Sequence, residues 1–393
     1  MPIRIAHVQW GVDMDLPRGF LERAQSHGYT HVLAEFWLSV PPFAADWDGR
    51  GGFDVDSSEL ADRLERLFVQ ADSYGLRFIP LFQTGNMHSA HLYAADSTMA
   101  SQVRHRAFHA HGMHTRRVPP QSPDYQPMNA VLEGLTRIIA SAFAAARPDL
   151  GYENLDFVHL GMDEIVLAWG GKVTTPVIAA GLCEPDRQWM KRYAPDRPSA
   201  EQIELLLAAS IRNKAERVRS IAGEYGVDTR IMLWADMWDP QLSGGPNSHY
   251  VTFRNLWDSS LVHDGSTFDV KAHAVPVRLA SILERPDMRA VREALVLCPW
   301  YYGHTPSYDA HATLSHFDTT GYDHVFFTTG ARYDRRNGTL KHYPAPPQRR
   351  HAAVAYAQAS LETSRTIGYG AAVWTDLGFG FRDDGWQWDP TKQ

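Results

Sequence analysis

Leu155-Asp156-Phe157-Val158-His159-Leu160-Gly161-Met162-Asp163-Glu164 is a mostly apolar run that closes on two adjacent carboxylates. Apolar residues on both parities mark a strand covered on both faces, hence one lying parallel to its neighbours. The same pattern recurs at residues 3–10, 31–37, 77–83, 230–238, 294–302, 324–330 and 369–376. With residues 155–163 that makes eight runs, separated by segments of helical periodicity. Eight strand–helix alternations predict an α/β protein, a (β/α)8 TIM barrel, as a single domain over residues 1–393. A doubly wound open sheet is the alternative. It would need a glycine-rich phosphate loop at a switch point, and none follows the first run.

The helical segments carry their own signals. Asp56-Ser57-Ser58-Glu59 has the form of a capping box, followed by the stripe Leu60, Leu64, Leu67, Phe68 and Ala71. Ser199 and Gln202 form a second box before Ile203, Leu206, Leu207 and Ile211. Val131, Leu135, Ile138, Ile139 and Phe143 make a further stripe, and Val354, Ala357 and Leu361 mark the last helix. Gly75, Gly226 and Gly368 stand where helices should stop. A weaker helix is expected over 276–292, interrupted by Pro286. Long segments follow strand three (84–126), strand four (165–198) and strand five (240–275). In a barrel all three lie at the carboxyl ends of the strands, where loops form the walls of a pocket.

The bulk numbers narrow the classes of partner. The chain has 393 residues, 44% hydrophobic, and a net charge of −7 with no basic block, which argues against nucleic acid and anionic membranes. Met1-Pro2-Ile3-Arg4-Ile5-Ala6-His7 has no signal-peptide form, and no run is long enough to span a bilayer. Two cysteines, Cys183 and Cys298, make no disulfide framework, so a cytoplasmic protein is expected. The oligomeric state is left open, a homodimer included. His105, His109, His111 and His114 have metal-ligand spacing, but Arg104, Arg106, Arg116 and Arg117 surround them without a carboxylate, so neither metal nor cofactor is expected.

The ends of the runs carry the chemistry. Glu35 and Trp37 close the second; Trp234, Asp236 and Trp238 the fifth; Trp300, Tyr301 and Tyr302 the sixth; Trp374 and Asp376 the eighth. Acids beside large aromatics at several strand exits suit a carbohydrate-cleaving site. Asp163 and Glu164 are neighbours and cannot flank a sugar from opposite sides. The seventh run, Phe326-Phe327-Thr328-Thr329-Gly330, offers no opposed acid. An adjacent pair without a nucleophile suggests that the substrate's own 2-acetamido oxygen attacks. One carboxylate then orients the acetamide, and the other serves as acid and then base.

His159-x-Gly161-x-Asp163-Glu164 resembles the His-x-Gly-Gly-Asp-Glu signature of glycoside hydrolase family 20, the β-N-acetylhexosaminidases. Trp234-Ala235-Asp236 is similar to that family's strand-five segment, and Trp374 with Asp376 to its strand-eight Trp-x-acid. The resemblance implies an exo-acting, retaining enzyme for terminal β-linked N-acetylhexosamine, with Glu164 as acid/base and Asp163 orienting the acetamide. It also implies that Trp234 and Trp374 wall the acetamido pocket and that Tyr301 or Tyr302 hydrogen-bonds the acetamide oxygen. Asp236 and Asp376 would then bind sugar hydroxyls or hold neighbouring loops, and His159 would hold an acid from within its strand. The chain departs from the pattern at Met162, in lacking an arginine after strand one, and at Glu35, which is read as a substitute ligand for sugar hydroxyls. Three readings stand beside this one: a glycosidase for non-acetamido sugars with Glu35 or Asp236 as second carboxylate, a metal-dependent hydrolase, and a sugar-binding barrel without turnover.

Overall fold

The computed structural model describes residues 2–11, 16, 19–37, 57–82, 84, 121–162, 184–197, 199–236, 238–240, 252–254, 274–276, 279–300, 309–334, 339–343 and 346–375. The first five strands are β1 (Ile3–Gly11), β2 (His31–Trp37), β3 (Arg77–Leu81), β4 (Phe157–His159) and β5 (Arg230–Trp234). β6 (Thr252–Arg254) and β7 (Ala274–Pro276) pair with each other as a separate antiparallel ladder. β8 (Leu295–Cys298), β9 (Asp323–Asp334) and β11 (Thr366–Thr375) complete the barrel, and β10 (Thr339–Tyr343) lies antiparallel on β9. The order is β9-β11-β1-β2-β3-β4-β5-β8, and β8 pairs back onto β9. Eight parallel strands therefore close into a (β/α)8 barrel, which leaves no open edge.

Parity divides the strand residues. Ala6, Val8, Val32, Ala34, Phe78, Val158, Leu160, Ile231, Leu233, Leu295 and Leu297 face outward and share one core with the helices. Ile5, Leu33, Ile79, Leu81, Phe157, Met232, Trp234, Val296, Cys298, Val325 and Phe327 face inward and fill the barrel. The helices that cover the barrel are α1 (Phe20–Ser26), α2 (Ser57–Ser73), α3 (Gln126–Ala146), α4 (Glu184–Tyr193), α5 (Ser199–Glu224), α6 (Ala310–Thr320) and α7 (Pro346–Ser360). On α2 the expected stripe from Leu60 to Ala71 is buried throughout. Phe68 stands edge-on to Phe78 of β3 and to Phe143 of α3, each at 5.3 Å. Such pairs add about 0.5–1.5 kcal/mol each beyond area burial.

Several local expectations change. Gly75 and Gly226 do cap their helices, with φ of 66° and 65°. Gly368 instead lies inside β11, paired with Ile3, where a Cβ would stand 2.2 Å from the Ile3 carbonyl oxygen. Gln202 donates to the Ala194 carbonyl at 2.6 Å, tying α5 to the segment before it. The segment expected as a weak helix is two 3-10 turns, Leu279–Glu284 and Pro286–Ala294, broken at Arg285. On α7, Val354 and Leu361 are exposed; Tyr356 and Ala359 carry the burial, with Tyr356 stacked on Phe326 at 5.0 Å. β9 continues past residue 330 to Asp334, because β10 pairs with that extension.

The amino end of the barrel is held by Asp156. Its carboxylate accepts from Arg77 Nη1 at 2.7 and 2.6 Å and lies 3.0 Å from His31 Nε2, linking the starts of β2, β3 and β4. Burial pushes the Asp156 carboxyl up, but the His31 and Arg77 hydrogen bonds and the Arg77 charge outweigh it and leave its pKa below the usual range. A second polar node joins the helices. Lys214 of α5 donates to Gln121 Oε1 at 3.1 Å and to Ser210 Oγ at 2.9 Å. Asp186 of α4 accepts the Gln121 and Ser122 amides, both at 2.7 Å. Burial pushes the Lys214 pKa down to about 7, opposed by the charge of Asp186. No described helix is long and apolar enough to cross a membrane.

Candidate active site at the carboxyl mouth of the barrel

The inward positions change character along the barrel axis. Near the amino end they are Ile5, Leu33, Ile79, Phe157, Met232 and Val296. Two residues further along the same strands they become His7, Glu35, Leu81, His159, Trp234 and Cys298, all buried. Two histidines, a glutamate and a cysteine thus enter the barrel interior in the layer toward the carboxyl ends, the face on which barrel enzymes carry their sites.

Trp234 is the hub of this layer. Its ring meets His159 at 4.5 Å, Phe327 at 4.9 Å and His7 at 5.7 Å between centroids. Phe327 comes this close because it lies over Gly370 of β11, where a Cβ would stand 2.2 Å from Phe327 Cε1. His7 Nε2 lies 3.6 Å from Glu35 Oε2, with both side chains almost fully enclosed. Burial pushes the Cys298 thiol well above its usual pKa, which keeps it protonated and unsuited to nucleophilic attack.

The exit of β4 is tightly determined. The Leu160 amide donates to Met232 on one side, while the His159 and Leu160 carbonyls accept the Phe82 and Thr84 amides on the other. Thr84 Oγ1 adds a bond to the Leu160 carbonyl at 2.9 Å, and the Trp234 amide donates to the Gly161 carbonyl at 2.9 Å. Gly161 and Met162 then both adopt left-handed backbone, with φ of 67° and 69°. For methionine that conformation costs roughly 1–2 kcal/mol. Non-glycine residues held in this region cluster at functional sites. Asp163 and Glu164 follow directly in the chain.

The left-handed turn also brings the Gly161 amide back onto His159, donating to Nδ1 at 3.0 Å. Nδ1 must then be the acceptor, so the ring proton rides on Nε2. Burial, followed by the nearby His7, lowers the His159 pKa well below its usual value, so the ring stays neutral.

After β5 the chain folds into a buried turn. The Ala235 amide donates to the Cys298 carbonyl at 3.1 Å, and the Trp238 amide to the Ala235 carbonyl at 3.0 Å. Asp236, Trp238 and Asp239 are enclosed, and Asp239 accepts from Thr313 Oγ1 of α6 at 2.8 Å.

Of the residues singled out from the sequence, Glu35, His159 and Trp234 meet in the inward carboxyl layer, and Asp236 is buried two residues past Trp234. Trp374 is paired in β11 opposite Arg332 of β9. Asp163, Glu164, Tyr301, Tyr302 and Asp376 lie outside the described residues, as does the histidine group at 105–114. The described residues contain no cluster of three or more potential metal ligands. His7 was overlooked as a site residue. Its signal is positional, at the inward parity of β1 two places beyond Ile5.

No protein-family model and no curated protein matches the chain. Among solved structures it is similar to a β-N-acetylhexosaminidase from Bacteroides fragilis, at 12% identity and a TM-score of 0.46, covering 96% of this chain and 61% of that one. It is similar to the pneumococcal virulence factor StrH, studied for N-glycan recognition and hydrolysis, at 10% identity and a TM-score of 0.43, covering 97% and 79%. It is also similar to a D-psicose 3-epimerase, at 10% identity and a TM-score of 0.37, covering 95% and 84%. These are likenesses of barrel to barrel; the fold assignment rests on the strand order above.

Proposed function

We propose that the chain is a glycoside hydrolase that removes terminal β-linked N-acetylhexosamine by a substrate-assisted, retaining mechanism. The observation that carries this reading is the exit of β4. A strand fixed by hydrogen bonds on both sides runs into two left-handed residues, one a methionine, immediately before an Asp-Glu pair. Glu164 protonates the leaving oxygen and later activates water. Asp163 orients the acetamide N–H so that its carbonyl oxygen attacks the anomeric carbon, and the bond to the leaving oxygen breaks. Trp234 and Trp374 flank the acetamido group, Tyr301 or Tyr302 donates to its oxygen, and Glu35, Asp236 and Asp376 bind hydroxyls. The enclosed layer around Trp234 supports this role, because charges act more strongly where water is excluded.

The test is turnover of aryl β-N-acetylglucosaminide and galactosaminide by the wild type, Glu164→Gln and Asp163→Asn. Each substitution should lower kcat about 10²–10⁴-fold. A wild type inert on both sugars, or variants that keep full rate, would refute the assignment.

A second reading keeps Glu164 as acid and uses Glu35 as nucleophile or base on a sugar without an acetamido group. The burial of Glu35 inside the barrel favours it. An N-acetyl thiazoline inhibitor separates the two, since only an acetamido site should bind it tightly.

A further inference from the structure

The ring of His159 sets an unusual donor in the inward layer. His159 Nε2 carries the ring proton, because Nδ1 accepts from the Gly161 amide. Nε2 is also buried and has no hydrogen-bond partner among the described residues. A buried donor left unpaired costs about 1–3 kcal/mol and calls for an explanation. The surrounding structure does not relax to remove it. The strand is pinned through the backbone of His159, Leu160 and Gly161, and the Trp234 ring braces the imidazole at 4.5 Å. The left-handed turn that fixes the tautomer is itself strained at Met162. Two costs are thus met on one short stretch, at His159 and Met162, with the shared result of one neutral N–H held in the carboxyl layer.

We propose that His159 is a positioning residue that donates from Nε2 directly to an oxygen of the bound sugar, rather than holding one of the two acids as the sequence suggested. Because Nε2 is enclosed, that oxygen has to belong to a group inserted into the mouth; a sugar hydroxyl, with two acceptor lone pairs and a small radius, meets the requirement. Naming a sugar rests on the function proposed above.

The experiment uses the full-length protein, calorimetric binding of methyl β-N-acetylglucosaminide, and its 3-, 4- and 6-deoxy analogues. His159→Phe should weaken binding of the parent sugar about tenfold, the scale of one hydrogen bond with its orphaned partner. His159→Gln, which retains a donor near the Nε2 position, should recover part of it. One deoxy analogue should bind the wild type about tenfold more weakly and lose nothing further in His159→Phe, which identifies the accepting oxygen. Losses that add for every analogue would overturn the proposal. So would an unchanged affinity in both variants accompanied by a shifted acidic limb in the pH–rate profile, the signature of a histidine that holds an acid. A wild type that binds none of the sugars removes the proposed function and this ligand together, whereas sugar binding that ignores His159 removes only the present assignment.

Discussion

Gly370→Ala tests whether β11 sets the position of the aromatic hub. The new Cβ would stand 2.2, 2.5 and 2.6 Å from Cε1, Cδ1 and Cζ of Phe327. Carbon atoms pack at about 3.5–4.0 Å, so the ring must retreat by roughly 1.3 Å or more. The ring is fully buried and edge-on to Trp234 at 4.9 Å, with His159 packed on the same indole at 4.5 Å. Overpacking of this kind costs about 1–3 kcal/mol, and removing a strand glycine returns about 0.5–1 kcal/mol. The expected net loss is about 1–2 kcal/mol. Thermal midpoints resolve this poorly: about 2.1 cal/mol/K per residue over 393 residues makes one kcal/mol worth only about 1 °C. The midpoint of chemical denaturation is the better assay. Phe327→Leu, made alone and with Gly370→Ala, completes a double-mutant cycle. If the clash is the cause, the double variant should be more stable than the sum of the two losses by about 1 kcal/mol. Gly370→Ala indistinguishable from wild type, or a cycle additive within about 0.5 kcal/mol, would refute the reasoning.

Other perturbations report on other parts of the barrel. At Met162, alanine keeps the left-handed strain and glycine relieves it, so Met162→Gly should be more stable than Met162→Ala by about 1 kcal/mol, the reverse of the usual order; equilibrium unfolding of both decides it. The lowered pKa of Asp156 means that the folded state holds the ionised form more strongly than the unfolded chain does. Its contribution is present above the ordinary aspartate range and is lost as pH falls through the folded value, so Asp156→Asn should flatten the acid limb of the stability profile and cost about 1–2 kcal/mol near neutrality. Lys214 titrates the other way. Between its folded pKa of about 7 and the ordinary lysine range the unfolded chain holds the extra proton, so stability should rise with pH across that window, and Lys214→Met should remove the slope.

The sequence made the barrel legible because each strand is apolar on both parities and each is followed by a polar break. It did not reveal the length of the seventh strand. The apolar run ends at Gly330, yet Gly330-Ala331-Arg332-Tyr333-Asp334 continues the strand as the base of a hairpin whose partner is Thr339–Tyr343. That matters chemically, since the strand ends in an acid that lies beyond residue 330. The hairpin carries Asp334 five residues past Thr329, about 16 Å further along extended chain. The last helix misled for another reason. Val354, Ala357 and Leu361 have helical spacing, but the large ring of Phe326 selects Tyr356 as its stacking partner and turns Val354 and Leu361 to solvent. At the candidate site, Trp234 and His159 were visible as odd residues in apolar strands. His7 was not, because its role follows only once Ile5 is known to face inward.

The partition of the barrel interior argues for function independently of any motif. The inward columns hold Ile5, Leu33, Phe157, Met232 and Val296 near the amino end, then His7, Glu35, His159, Trp234 and Cys298 two residues on. Geometry does not demand the change, since the same barrel could hold leucine and valine in both layers. Burying titratable groups costs several kcal/mol unless each is compensated, and a well-packed apolar replacement is often the more stable choice. Stability alone therefore would not place a histidine–glutamate pair and a second, neutral histidine around one tryptophan. Nor would it retain a methionine in left-handed backbone when glycine is free of that strain. Both departures fall at the carboxyl end of the strands, and one immediately precedes the only point at which a described barrel strand runs out into an Asp-Glu pair. The costs concentrate where a substrate would meet the barrel, as expected when a site rather than the core dictates the residue.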